Sequence, residues 1–193
     1  MKPTEFLEIM HTVERLKDTT RHCYTTKGRH ESVAEHSWRL TLMAYFLRDE
    51  FPETDMDKVI HMCLIHDLGE VFTGDIPSFR KSNTDEKKEE KLLYSWVDSL
   101  PEPYCIEMRS LYDEMAALET TEAKIYKALD NLEAIIQHNE SDLSTWEANE
   151  YDLNLTYAND KVAFSNYLSA LREQIRTDTK KKIGTWKDTE EES

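Results

Sequence analysis

The 193-residue sequence has little glycine and proline, with 4 Gly and 5 Pro in the whole chain. So few glycines cannot supply a Gly-rich phosphate loop, and no Ser or Cys lies in a nucleophile-elbow context. No Pro/Gly/Ser-rich linker divides the chain, which predicts one compact domain. Long stretches rich in Leu, Ala, Glu, Lys and Met carry apolar residues three and four positions apart, which indicates a nearly all-α fold, a compact helical bundle.

Other features are also missing. The three cysteines, Cys23, Cys63 and Cys105, form no paired spacing, so neither a disulfide framework nor a Cys-rich zinc site is expected. Basic residues are outnumbered 24 to 39 by acidic ones, and the formal charge of -15 disfavours nucleic-acid partners. No run of eighteen apolar residues and no signal-peptide pattern occurs, so the sequence predicts a cytoplasmic protein without a membrane partner.

The apolar periodicity predicts helices separated by polar connections. The predicted helices cover Thr4 to Leu16, Ser32 to about Glu50, Asp55 or Asp57 to about Phe72, Asp85 to Leu100, Pro103 to Leu118, Thr120 to Glu140 and Val162 to Thr177. A polar connection is expected from Asp18 to Glu31, and the helix that ends near Phe72 is expected to be central and buried. Residues 1–178 are predicted to form the domain, and residues 179–193 a polar tail whose composition is typical of disorder.

His36 is the first residue of chemical interest. It lies four positions after Ser32, which together with Glu35 has the form of a capping box, and Val33, Leu40 and Met43 share its helix face. The imidazole is therefore expected to point into the core. A single core His is more often a hydrogen-bonded packing residue than a ligand, and that interpretation stays open for His36 alone.

His66 and Asp67 end a long apolar run. Burying the Asp67 carboxylate would be costly without a cationic partner, and no Lys or Arg lies between His61 and Phe79. A divalent metal shared with two imidazoles could supply that charge, whereas a turn carboxylate facing water is the alternative. Glu70 follows at helical spacing and could orient a water molecule at such a metal.

Asp130 lies on the apolar side of the helix predicted from Thr121 onwards. The polar arc of the same helical wheel holds Lys124, Lys127, Asn131 and His138. Glu133 also approaches the apolar side, so the wheel alone does not single out Asp130. An ordinary buried ion pair is the other interpretation.

The order of these motifs resembles that of the HD-domain hydrolases. The matching strings are Glu35-His36-Ser37, then His66-Asp67-Leu68-Gly69-Glu70-Val71-Phe72-Thr73-Gly74-Asp75-Ile76-Pro77, then Ala128-Leu129-Asp130-Asn131. They are most similar to the bacterial 5′-deoxynucleotidases and their eukaryotic HD-domain relatives. The resemblance implies an HD-type helical bundle in which His36, His66, Asp67 and Asp130 bind one divalent ion. It extends from about Leu16 to Tyr157.

The resemblance also implies roles around the metal. Glu70 and Asp75 would position or deprotonate water and protonate the leaving oxygen, and Arg21 would clamp the substrate phosphate. His22 would contact the substrate where the bacterial nucleotidase has Trp, a departure that leaves the sugar preference open. No His lies between Asp67 and Asp130, unlike in the two-metal relatives, which favours a single ion and a phosphomonoester substrate.

The predicted function is thus removal of the 5′-phosphate from (deoxy)nucleoside monophosphates by metal-activated water. The ligand set suits Mn, Fe, Co, Ni or Zn, and Mg less well. Two alternatives stay open: a helical binding or regulatory module with a structural metal site, and a nucleoside triphosphate hydrolase of the same superfamily. A homodimer is implied by the resemblance.

Overall fold

The computed structural model describes residues 1–77 and 79–191, with side chains up to residue 185. Its helices are α1 (Pro3–Glu14), α2 (Val33–Phe46), α3 (Met56–Ile65), α4 (Glu70–Thr73), α5 (Asn83–Val97), α6 (Tyr104–Ala117), α7 (Thr121–Glu140), α8 (Glu150–Thr156), α9 (Asn159–Val162) and α10 (Asn166–Glu191). The strands are β1 (Thr20–Tyr24) and β2 (His30–Ser32). The predicted all-α helical bundle is confirmed, with one small hairpin added to it.

The core lies where α2, α3 and α7 pack together. Leu40, Val59, Met62 and Leu129 are fully buried there. Helix α7, rather than the predicted α3, is the most enclosed helix, because the core and the C-terminal segments cover it on several faces. Helix α3 leaves Leu64 half exposed, since its outer side faces solvent.

Helix α3 ends seven residues earlier than predicted. The carbonyl of Ile65 accepts the hydroxyl of Tyr112 at 2.5 Å and the amide of Leu68 at 3.1 Å. The chain then turns through His66 to Gly69 before the short helix α4 begins at Glu70. His66 and Asp67 therefore lie in a turn at the end of a buried helix. In a turn, neighbouring side chains can point to the same place, whereas in a continuous helix they would point in different directions.

The hairpin occupies the region predicted as a polar connection. β1 and β2 pair antiparallel, with Thr20 opposite Ser32 and Tyr24 opposite His30, and Gly28 adopts φ +78° in the turn. The side-chain amide of Gln137 on α7 donates to the Tyr24 carbonyl at 2.7 Å. This bond fixes the hairpin to α7. Too few apolar residues alternate along β1 for periodicity to reveal it.

The C-terminal region also differs from the prediction. Two short helices, α8 and α9, occupy a segment that the periodicity left unassigned, and α10 continues to Glu191 instead of ending near Thr177. The expected tail is therefore helical through Glu191, because good helix formers such as Lys and Glu continue α10 beyond Thr177. The division at residue 178 stays a prediction, and its last residues, 192 and 193, lie outside the described chain.

Candidate metal centre

The four predicted ligands come together from three separate parts of the chain. His36 lies in the first turn of α2, where the Ser32 and Glu35 capping box sets the start of the helix. His66 and Asp67 follow α3 directly, and Asp130 projects from the middle of α7. Local sequence signals thus place each side chain, and the packing of α2 and α3 on α7 brings them together.

The distances between the ligand atoms suit one shared ion. His36 Nε2 lies 3.2 Å from His66 Nε2, 3.3 Å from Asp130 Oδ1 and 3.7 Å from Asp67 Oδ2. His66 Nε2 lies 2.9 Å from Asp67 Oδ2 and 3.6 Å from Asp130 Oδ1. Ligands held at about 2.0–2.2 Å from one ion are separated by roughly 3–3.6 Å. His36, His66 and Asp67 offer atoms that all lie within 4.8 Å of one another, and Asp130 Oδ1 lies within 3.6 Å of both imidazoles, so the spacings are compatible with a metal cradle.

The outer nitrogens of the two imidazoles support the same interpretation. His36 Nδ1 lies 2.5 Å from Glu133 Oε2, and His66 Nδ1 lies 2.9 Å from the Cys63 carbonyl. Both partners are acceptors, so each Nδ1 must donate a proton. A neutral imidazole then presents the lone pair of Nε2, and both Nε2 atoms face the cradle. The residues present fit a divalent ion.

The two carboxylates are held in their charged form. Burial alone would raise the pKa of Asp67, but His66 and His36 hold it at about 2. Burial likewise opposes ionisation of Asp130, whose pKa is nevertheless held well below its usual range by Lys127 and the two imidazoles. Lys127 donates to Asp130 Oδ2 at 2.7 Å, which leaves Oδ1 facing the imidazoles.

These carboxylates act on His66 in turn. Burial would lower the pKa of His66, but Asp67 and Asp130 raise it to about 10. The protein without metal therefore stabilises a proton in the cradle. A divalent cation would take the place of that positive charge, so metal binding is expected to release protons.

Glu70 and Asp75 lie beside the cradle. Glu70 is buried at the start of α4, and its Oε2 has no hydrogen-bond partner among the described residues. Burial and the charges of Asp67 and Asp75 raise the pKa of Glu70 to about 10. Asp75 follows Gly74, whose φ of +78° turns the chain back, and burial also raises the pKa of its carboxyl. Both acids are thus arranged to hold protons next to the ligands.

Arg21 and His22 are neighbours on β1, but their side chains have different partners. Arg21 Nη1 donates to Glu31 Oε2 at 2.9 Å and to Glu133 Oε2 at 3.3 Å. Among the described residues, Arg21 Nε and Nη2 have no hydrogen-bond partner. The guanidinium is therefore held by two carboxylates while still offering donors. His22 instead points to Glu150, with its Nε2 2.8 Å from Glu150 Oε1.

Sequence reasoning missed several residues of this region. The helical wheel places Glu133 near the apolar side of its helix without indicating a role, yet the residue is fully buried and contacts both His36 and Arg21. The spacing of three residues from Asp130 was the available signal. Asn131 and His138 belong to the polar arc of the helical wheel, yet both are buried, because Tyr157 and Trp146 from the C-terminal segment cover them.

The comparisons with known proteins identify a family and several similar proteins. Residues 13–172 match the family model described as an HD domain. The chain is 30% identical over 138 residues to the human 5′-deoxynucleotidase HDDC2, an alignment that covers 70% of this chain and 66% of that protein. The chain thus spans slightly less than two thirds of that relative. The zebrafish protein of the same name is 32% identical over 138 residues, covering 69% of this chain and 68% of that protein.

A solved structure is similar over nearly the whole length. The crystal structure of a predicted metal-dependent phosphohydrolase from Magnetospirillum magnetotacticum superposes with a TM-score of 0.75 and 25% sequence identity. The superposition covers 93% of this chain and 95% of that protein.

Within residues 1–77 and 79–191, no helix combines the length and the hydrophobicity that crossing a bilayer requires.

Proposed function

The chain belongs to the HD-domain family, and on that premise we propose that it is a metal-dependent phosphohydrolase that removes the 5′-phosphate from (deoxy)nucleoside monophosphates. The observation that carries the proposal is the cradle in which two imidazoles, each with Nδ1 bound to an acceptor, turn Nε2 towards Asp67 and Asp130. The names of the human and zebrafish relatives support the choice of substrate class.

One divalent ion would be held by His36, His66, Asp67 and Asp130. Such an ion activates water near neutral pH and offsets negative charge on a phosphoryl oxygen. Two imidazoles and two carboxylates suit Mn, Fe, Co, Ni or Zn, and Mg less well. The charges of Asp67 and Asp130 balance those of the ion, so binding of an anionic phosphate depends on a further cation.

Arg21 is that cation in our proposal. Its Nη1 is anchored by Glu31 and Glu133, which fixes the plane of the guanidinium, while Nε and Nη2 form a fork that matches two phosphate oxygens. His22 follows it in β1, and its partly exposed ring packs edge-on against Phe79, at 5.5 Å between ring centroids. We assign His22 to the substrate pocket, where it would contact the sugar or base.

Glu70 and Asp75 would move the protons. Glu70 has an oxygen without a protein partner, and a bound cation would lower its pKa, so the ionised carboxylate can take a proton from the attacking water. Asp75, whose pKa is raised by burial, can deliver a proton to the leaving 5′ oxygen. Water and a nucleoside monophosphate then give a nucleoside and inorganic phosphate.

A phosphate-release screen tests this proposal. The protein is stripped with a chelator, reloaded with single divalent ions and assayed on ribo- and deoxyribonucleoside 5′-monophosphates. We expect phosphate release that depends on the added ion, and the ratio between the two sugar series measures the sugar preference. Release of pyrophosphate or triphosphate from nucleoside triphosphates, with no activity on monophosphates, would contradict the proposal and favour the triphosphate hydrolase.

The Glu70→Gln variant separates an enzyme from a structural metal module. An enzyme keeps its metal and loses turnover by about 10²–10⁴-fold, the contribution typical of a general base. The matched control is Glu90→Gln, a similar change at an exposed position of α5. If Glu70→Gln and Glu90→Gln have the same activity as the unchanged protein, Glu70 has no role in proton transfer.

We further propose that the protein is a homodimer. Several large apolar side chains on α2 and α3 are exposed, among them Phe46 at 76%, Trp38 at 63% and Leu64 at 52%. Trp38 and Leu64 line one apolar groove, and contiguous apolar exposure is typical of protein interfaces. Light scattering on the purified protein, with Trp38→Glu as the disrupting variant, tests the oligomeric state. The cytoplasmic location also stays a prediction, which cell fractionation would test.

A further inference from the structure

A second group of potential ligands lies outside the cradle. His22 from β1, His138 from α7 and Glu150 from α8 bring two imidazole nitrogens and one carboxylate oxygen within 4.8 Å of one another. His22 Nε2 lies 2.8 Å from Glu150 Oε1, and His138 Nε2 lies 3.4 Å from the same oxygen. Three elements that are distant in sequence therefore present their ligand atoms to one point.

The Glu150 carboxylate is fixed for this arrangement. Its Oε2 accepts the backbone amide of Glu147 at 2.7 Å, so Oε1 faces the two imidazoles. Burial opposes its charge, but His22, His138 and the Glu147 amide lower the pKa of Glu150. Glu150 is thus a buried anion whose orientation is set before any ligand arrives.

Neither ring nitrogen of His138 makes a good hydrogen bond among the described residues. Its side chain is 9% exposed, and its Nδ1 has no hydrogen-bond partner among the described residues. At 3.4 Å, the approach of Nε2 to Glu150 is too long for a good hydrogen bond. Burial lowers the pKa of His138 to about 4, so the ring is neutral at physiological pH. A buried neutral imidazole beside an anion is the form that binds a metal.

We propose that His22, His138 and Glu150 bind a second divalent transition-metal ion, independent of the cradle. Two imidazoles and one carboxylate form a three-residue set used by zinc sites that keep an open position. Imidazole donors favour Zn²⁺, Co²⁺ or Ni²⁺ over Mg²⁺ or Ca²⁺. The side chain of His22 is 26% exposed, which gives the ion a path from solvent and leaves room for water as a further ligand.

This site is too far from the cradle to form a bridged two-metal centre. Asp130 and His138 are eight residues apart on α7, which corresponds to roughly 12 Å along the helix axis. Ions that act together on one phosphoryl group lie about 3.5–4 Å apart. The second ion would instead connect β1, α7 and α8 through its three ligands, of which His22 directly follows Arg21.

Metal stoichiometry tests the proposal without reference to activity. The full chain is stripped, saturated with Zn²⁺ and freed of loose metal, and the metal is counted by mass spectrometry; Co²⁺ absorption reports the ligand field. We expect two ions per chain in the unchanged protein. One ion should remain in His22→Gln, and one should also remain in Asp67→Asn, with different Co²⁺ spectra. The exposed His11→Gln on α1 is the matched control and should keep both.

The outcomes are distinct. One ion in the unchanged protein and the same one in His22→Gln would overturn the proposal and leave a hydrogen-bonded cluster only. The milder Glu150→Gln repeats the test if His22→Gln does not fold, which circular dichroism monitors. If Asp67→Asn loses only the cradle ion but the unchanged protein has no phosphatase activity with any ion, the proposed function is contradicted and this second site is unaffected.

Discussion

The role of Glu133 gives the sharpest test of the cradle. Its carboxylate is fully buried, accepts from His36 Nδ1 at 2.5 Å and contacts Arg21 Nη1 at 3.3 Å. Glu133→Gln keeps a side chain of the same shape with an oxygen that can still accept from Nδ1. It removes the negative charge that makes His36 a stronger donor to a metal.

The expected loss in metal affinity follows from that change. Removing a partner behind a ligating histidine typically costs about 10–100-fold, which equals about 1.4–2.7 kcal/mol. Competition with a chromophoric chelator measures the dissociation constant, and circular dichroism checks that the fold is kept. We expect weaker binding by that factor, with the stoichiometry at the cradle unchanged.

The matched control lies on the same helix. Glu140 on α7 also pairs with an arginine, Arg39, at 2.7 Å, but it is exposed and distant from His36. Glu140→Gln should bind metal as the unchanged protein does, because exposed pairs contribute little. Equal affinities for Glu133→Gln, Glu140→Gln and the unchanged protein would refute the argument that Glu133 tunes His36.

Four further outcomes follow. Arg21→Ala should lower kcat/KM by about 10–150-fold, the value of charged hydrogen bonds worth about 1.5–3 kcal/mol, while metal analysis finds the cradle filled. Leu129→Ala, a core truncation, should lower the free energy of unfolding by about 2–5 kcal/mol in urea titration. The hydrogen bond from Arg29, opposed in part by burial, lowers the pKa of Glu35 to about 2, below its usual 4.5. The ionised Glu35 carboxylate therefore contributes fully to the free energy of unfolding above pH 4.5, and this contribution is lost as the pH falls towards 2. Glu35→Gln should thus lower the free energy of unfolding by about 0.5–1 kcal/mol at pH 7 and by less in acid, a small value because water screens this partly exposed pair. Denaturation at several pH values measures the difference. Saturating metal at 100 times its dissociation constant should stabilise the fold by about 2.7 kcal/mol, and a chelator should reverse the shift in Tm.

Much of this molecule can be predicted from sequence because its signals are local. The capping box at Ser32 and the periodicity of α2 and α7 fix the direction of His36 and Asp130 within their own helices. Because no Lys or Arg is close to Asp67 in sequence, its buried carboxylate requires a positive charge from a distant residue or from a metal ion. Convergence of the four ligands was implied by the resemblance to a family, since no local signal encodes the distance between helices.

The unpredicted parts depend on contacts between distant segments. The hairpin is fixed by Gln137 across 113 positions of sequence, and β1 has no apolar alternation to indicate it. The helical wheel of α7 places His138 among polar residues and so indicates exposure to solvent, yet Trp146 and Glu150 pack against it and bury it. Periodicity assigns a face to solvent whenever the covering segment has no signal of its own.

Helix α7 carries functional groups at regular steps along one side. Asp130, Glu133, Gln137 and Glu140 follow at intervals of three and four residues. Asp130 and Glu133 contact His36, Gln137 binds the hairpin, and Glu140 pairs with Arg39. All four contacts depend on the same rotation of α7 about its axis, because a shift of the helix by one residue turns each of these side chains by about 100°. Correct packing of this one helix therefore both assembles the cradle and positions strand β1.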